Sequence, residues 1–180
     1  MPRPLALTAS LMGAALLLGA CIPSGPVGNA SVPEPRKPVE LQRYLGDWYE
    51  IARYEASFQR GCEAVTASYS LRPDGDIRVV NSCRQDSPTG PARSAEAVAK
   101  PVEGAQGAKL KVSFFGPFYG DYWVLDRAPD YSWSIVGEPS GRYLWILSRT
   151  PKLSEARVQA LIARAQALGY DTALLRRTKW

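Results

Sequence analysis

From residue 41 onward, short runs of β-branched and aromatic residues alternate with polar positions and are cut at regular intervals by turn residues. That pattern predicts an all-β barrel or sandwich. The runs at 64–71 and 76–81 flank Arg72-Pro73-Asp74-Gly75, whose Pro-Asp-Gly supplies a tight hairpin turn. Further runs at 92–100, 109–115, 121–126, 132–137 and 143–148 are separated by Gly104, Gly107, Gly116-Pro117, Ala128-Pro129 and Pro139-Ser140-Gly141. A first strand at 48–54 makes eight, enough for a closed antiparallel up-and-down barrel with room for one small ligand and no free edge.

The period becomes helical near the end, where Val158, Leu161, Ile162, Ala165 and Leu168 share one face between Ser154 as N-cap and Gly169 as stop. A single apolar stripe predicts one C-terminal α-helix packed on the outside of the barrel; a helix on a membrane surface is the alternative. Residues 5–18 are apolar, follow one charge at Arg3 and end in Gly19-Ala20, the layout of a signal peptide. The run is short of the roughly 20 residues a bilayer crossing needs, and Thr8 and Ser10 interrupt it. Residues 21–39 hold Pro23, Pro26, Pro33, Pro35 and Pro38 with Gly25 and Gly28, have little apolar periodicity and read as a tether. Such a tether spans roughly 25 Å as a coil or roughly 60 Å as polyproline. The expected organisation is a leader over 1–20 that is removed, a Pro-rich tether over 21–39 and one domain over 40–180.

Charge and cysteine chemistry narrow the classes. The chain carries 22 Lys and Arg against 17 Asp and Glu, a net charge of +5, and the cations are dispersed rather than gathered into the basic face that nucleic acid requires. A modest positive excess suits either solubility or anionic lipid head groups. Leu18-Gly19-Ala20-Cys21 resembles the lipobox of bacterial lipoproteins, which implies a diacylglycerol on the Cys21 thiol. Ile22 in place of Asp after that cysteine implies the outer membrane, with the protein facing the periplasm. In that oxidising compartment Cys62 and Cys83, which flank neighbouring hairpin strands, are expected to form a disulfide; a free reactive thiol is the alternative. Closing that loop would stabilise the fold by about 3 kcal/mol.

Gly46-Asp47-Trp48-Tyr49-Glu50-Ile51-Ala52-Arg53-Tyr54 resembles the Gly-x-Trp signature of the lipocalin family. The resemblance continues through Phe58-Gln59-Arg60-Gly61, Val65-Thr66-Ala67-Ser68-Tyr69-Ser70-Leu71, residues 110–120 and Tyr143-Leu144-Trp145-Ile146-Leu147-Ser148-Arg149-Thr150-Pro151. These blocks resemble the bacterial outer-membrane lipoprotein branch of that family and, more distantly, its apolipoprotein D branch. Physically, a glycine before a large indole lets the chain bend at the barrel base while Trp48 plugs the closed end. The resemblance implies that Arg149 stacks on Trp48, a cation–π contact of about 0.5 to 2 kcal/mol, so that Gly46, Trp48 and Arg149 close the barrel. Arg149 as a ligand anchor is the sharper alternative.

Carried over from lipid-binding lipocalins, the ligand face would comprise Tyr69, Val79, Asn81, Val112, Phe114, Tyr122, Trp145 and Leu147, with Asn81 and the tyrosine hydroxyls orienting a polar end. The implied ligand is a fatty acid or lysophospholipid; a barrel filled by its own side chains is the alternative. Catalysis is disfavoured, because the chain has no histidine, Gly-x-Ser-x-Gly, phosphate-binding loop or Cys-x-x-Cys. No cofactor or metal is expected. A third class is an envelope interaction protein, with an exposed Trp133 and the loop at 115–119 as contact surfaces and room for a homodimer.

Overall fold

The computed structural model describes residues 25–180, so the leader and Cys21 lie outside the described residues. A short helix α1 (Leu41–Tyr44) leads into β1 (Gly46–Tyr54), followed by β2 (Cys62–Leu71), β3 (Ile77–Gln85), β4 (Ala92–Pro101) and β5 (Lys109–Phe115). Next come β6 (Phe118–Arg127), β7 (Trp133–Gly137), β8 (Leu144–Ser148), α2 (Glu155–Ala167) and a three-residue β9 (Leu175–Arg177). Each strand from β2 to β8 pairs antiparallel with its neighbour, and β1 closes the ring by pairing with both β8 and β2. Eight strands therefore form a closed up-and-down barrel, and β9 adds to the far end of β1.

Two apolar layers follow from the alternation of the strands. Trp48, Tyr69, Val79, Ala97, Leu110, Val124, Val136 and Leu147 form the inner layer. Ile51, Ala52, Leu125, Trp133, Ile135 and Ile146 point outward and pack against α2 through Val158, Leu161 and Ala165. The Ser154 hydroxyl accepts a hydrogen bond from the Arg157 amide at 3.3 Å, and Gly169 takes φ +93° just past the helix end. The outer layer corrects the expectation for Trp133. An outward position is not an exposed one here, because α2 covers it and leaves Trp133 5 % exposed, with the Arg164 guanidinium over its ring.

Residues 25–39 also differ from a free tether. They adopt no helix or strand, yet they are laid along the barrel by hydrogen bonds. The amides of Gly28 and Asn29 donate to the Gly141 carbonyl at 2.9 and 3.3 Å, the Asp171 amide donates to the Gly28 carbonyl, and the Val39 amide donates to the Gln106 carbonyl. The side-chain amide of the buried Asn29 donates to the Leu168 carbonyl, and Lys37 pairs with Asp126 at 2.6 Å. A Cβ on Gly141 would lie 1.8 Å from the Asn29 carbonyl oxygen, so only glycine permits this approach. Prolines deny the segment a regular ladder without preventing its remaining amides and carbonyls from binding the barrel.

Candidate functional site

The ends of the barrel differ in what fills them. At the closed end Gly46, at φ +90°, turns the chain into β1 so that the fully buried Trp48 indole enters the lumen and donates to the Tyr44 carbonyl at 2.8 Å. The Arg149 guanidinium lies 3.8 Å from the centre of that ring. It donates to the carbonyls of Arg43, Tyr44 and Leu45, the unpaired end of α1, and to that of Asp47. With its donors spent on backbone at the sealed end, Arg149 does not face the open lumen.

Above Trp48 lies a floor of phenols. Tyr44 and Tyr122 share a hydrogen bond at 2.8 Å, the Tyr69 hydroxyl donates to Tyr122 at 3.0 Å, and Tyr44 also meets the Ser134 hydroxyl at 3.1 Å. Burial pushes the Tyr44 phenol up to about 12 and raises those of Tyr69 and Tyr122 as well, so the floor is uncharged at neutral pH. These hydroxyls are engaged with one another.

The upper half of the lumen is lined differently. Ala67, Asn81 and Ala95 stand opposite one another on β2, β3 and β4, as do Tyr69, Val79 and Ala97 one layer below. Ala99 pairs with Val112 and Leu110 with Tyr122, so β4 contributes only alanines at Ala95, Ala97 and Ala99 across this height. Ala67, Asn81, Val112, Tyr122 and Trp145 point inward yet keep partial exposure. Val79 and Leu147 are buried below them. Asn81 makes no side-chain hydrogen bond among the described residues. Phe114 stands apart from the others: it sits on a bulge between Val112 and Phe115, is 40 % exposed and lies outside the inner apolar cluster.

The mouth is organised around Trp145. Its indole N–H donates to the Gln59 side-chain oxygen at 3.0 Å, its ring stacks on Tyr143, and Tyr143 meets Phe58 of the β1–β2 loop. Beneath that loop is a buried ionic cluster that sequence reading missed. A bulge between Glu50 and Ala52 breaks the alternation, so that Glu50 opposite Leu147 and Arg53 opposite Trp145 both turn inward. Arg53 is fully buried and donates to Glu50 at 2.7 Å, to Glu55 and to the carbonyls of Gln59 and Cys62. Glu50 also accepts from the Thr178 hydroxyl, and Glu63 accepts from Arg176 and from the Lys179 amide. The C-terminal residues thus wedge between β1 and the start of β2, where Cys62 and Cys83 form a disulfide with a Cα separation of 5.4 Å.

Two hollows of about 420 and 240 Å³ open on the outer surface, one between residues 31–37 and the end of α2, the other beside Trp133, Arg149 and Arg157. Neither is walled by the inward-facing residues. Among the described residues no group of His, Cys, Asp and Glu is placed to hold a metal ion.

A closed barrel with an indole plug, an arginine over it and an outer helix can be compared with known families. The sequence model of the Lipocalin-like domain matches residues 39–180. The chain is a lipocalin. Its relatives include outer membrane lipoprotein Blc of Vibrio cholerae, 45 % identical over 150 residues that cover 81 % of this chain and 86 % of that protein. The Escherichia coli K12 lipoprotein of the same name is 41 % identical over 169 residues, covering 94 % and 93 %. Rat apolipoprotein D is 35 % identical over 136 residues, covering 71 % and 69 %. The match to the two bacterial lipoproteins extends over most of this lipocalin's length, and family membership accounts for its barrel, plug and helix together.

Proposed function

We propose that this lipocalin is an outer-membrane lipoprotein, held through a diacylglycerol on Cys21 with its barrel in the periplasm. It binds a single fatty acid or lysophospholipid and stores or carries it within the cell envelope. The observation that supports this reading most is the inner face of the upper barrel, where Ala67, Val112, Tyr122 and Trp145 pack on the inner apolar cluster and yet keep partial exposure. An acyl chain entering there gains about 0.8 kcal/mol per buried methylene. The paired phenols stop it, and Asn81 with Arg93, which continues the inner face of β4 to the rim opposite Cys83, is available to a polar head. The lipobox-like Leu18-Gly19-Ala20-Cys21 and the names of the bacterial relatives support the anchor and the location.

This is a binding protein rather than an enzyme in our reading. The inward polar groups of the floor are paired with each other, and no nucleophile and base face a common open point among the residues described above. The test is calorimetric titration with a monomeric lysophospholipid. The wild type takes up one equivalent, and Trp145→Ala binds at least about tenfold more weakly with an unchanged unfolding midpoint. Equal affinities for the two proteins would place the ligand elsewhere.

A further inference from the structure

Seven large apolar side chains are exposed on the described residues, and six of them lie at the open end of the barrel. Phe115 and Phe118, 81 % and 78 % exposed, cap the β5–β6 hairpin with Phe114 and Tyr119 beside them. Phe58 projects from the β1–β2 loop, and Val27 sits next to Gly28, whose amide binds the β7–β8 loop at Gly141. Only Leu71 lies at the closed end. An apolar rim this one-sided is not what a barrel surrounded by water needs.

The charges at the same end are one-sided too. Arg60, Arg84, Arg93 and Arg142 all belong to the mouth loops or the strand ends beside them, and none has a carboxylate within salt-bridge distance among the described residues. The carboxylates there are largely committed: Glu55 to Arg53 and Arg176, and Glu138 to the amides of Ser140 and Arg142. Asp86 is left, with a hydrogen bond from the Gln85 side chain. Unpaired arginines around exposed phenylalanines match the two halves of a lipid–water interface, anionic head groups above acyl chains.

The chain path gives a third, independent pointer. Arg142 of the β7–β8 loop donates to the Gly25 carbonyl, so the segment laid along the barrel begins at the mouth. Gly25 lies four residue steps from Cys21, and those steps reach no more than about 14 Å in any conformation.

We propose that the open end of this lipocalin docks mouth-first on an anionic phospholipid surface, with Phe115 and Phe118 entering the interface and Arg60, Arg84, Arg93 and Arg142 meeting the head groups. This deepens the anchored-carrier reading: residues 25–39 act as a strut that holds the mouth, and not the plugged end, against the bilayer. A lipid then passes between bilayer and lumen without crossing water.

The test uses the chain from residue 21 carrying Cys21→Ser, which has no lipid attached, in flotation with vesicles of equimolar phosphatidylcholine and phosphatidylglycerol. It floats with these vesicles, and binding falls with added salt and on vesicles of phosphatidylcholine alone. Phe115→Ser with Phe118→Ser lowers the partition coefficient at least about tenfold, whereas Leu71→Ser at the other end leaves it unchanged. Arg60→Gln with Arg84→Gln, both exposed and remote from the core, lowers it at low salt and serves if the phenylalanine pair does not fold. Absence of binding to the anionic vesicles overturns the proposal, as does equal loss in Leu71→Ser. So does a phenylalanine pair that still floats but no longer self-associates, which would make a second copy the occupant. Lysophospholipid titration of the same variants separates the two readings: uptake retained while flotation is lost leaves the mouth as the docking surface and the lumen as the binding site.

Discussion

Arg53→Leu is expected to lower the unfolding free energy by about 3 to 5 kcal/mol, read from urea midpoints at constant slope. The leucine itself would be tolerated at a buried position. The loss comes from what remains: Glu50, 2 % exposed, would be left in the interior without the guanidinium that lies 2.7 Å away. Two carbonyls, of Gln59 and Cys62, would lose a donor in the same change. Because Glu50 also receives the Thr178 hydroxyl and the Gln59 amide, the damage should spread to the C-terminal wedge and to the loop that holds Trp145. Removing both charges, with Glu50→Leu and Arg53→Leu together, should recover most of the loss, since the cost lies in the unpaired partner. A single variant losing less than about 1 kcal/mol would show that water reaches this pair.

Trp48→Ala is expected to cost a similar amount, about 3 to 5 kcal/mol, by emptying the closed end. The indole is fully buried, carries the hydrogen bond to Tyr44, packs on the Tyr44 ring at 4.9 Å and supports the Arg149 guanidinium. Arg149→Met should cost less, because it removes the cation–π contact and the caps on α1 but leaves the plug in place. The distinction from the ligand site is in the second readout. The folded fraction of Trp48→Ala should bind lysophospholipid with near wild-type affinity, since the phenol floor separates position 48 from the upper lumen. A fall in affinity matching that of Trp145→Ala would mean that the ligand reaches the base of the barrel.

The features that could be read along the chain are those with local causes. Strand alternation, the Pro-Asp-Gly turn and the helical stripe each act within about ten residues, and the corresponding elements appear within a few residues of the expected bounds. The disulfide was legible because the hairpin turn brings Cys62 and Cys83 to within two positions of register, Cys62 pairing opposite Gln85. What escaped depends on distant partners or on a broken period. The bulge between Glu50 and Ala52 puts Arg53 on the same side as Glu50, and the one after Val112 sets Phe114 at the rim. β9 is three residues long and exists because β1 offers it an edge where β2 splays away. The strut over 25–39 has no pattern of its own; its order comes from Gly141, Gln106 and Asp171, each more than sixty residues downstream. For the candidate site, alternation leaves two faces per strand, and the resemblance to lipid-binding lipocalins selected the one that holds Tyr69, Val79, Val112, Tyr122 and Leu147; the mutual pairing of the phenols required the third dimension.

The central claim is that the upper lumen holds one lipid molecule. Native mass spectrometry of the mature protein, extracted gently from cell membranes, tests this most directly. The account predicts a population heavier than the acylated chain by one fatty acid or lysophospholipid, displaced stoichiometrically by added lysophospholipid and reduced in Trp145→Ala. A protein that emerges without ligand and takes up none when lysophospholipid is added would contradict it, and would mean that the side chains of the barrel fill it.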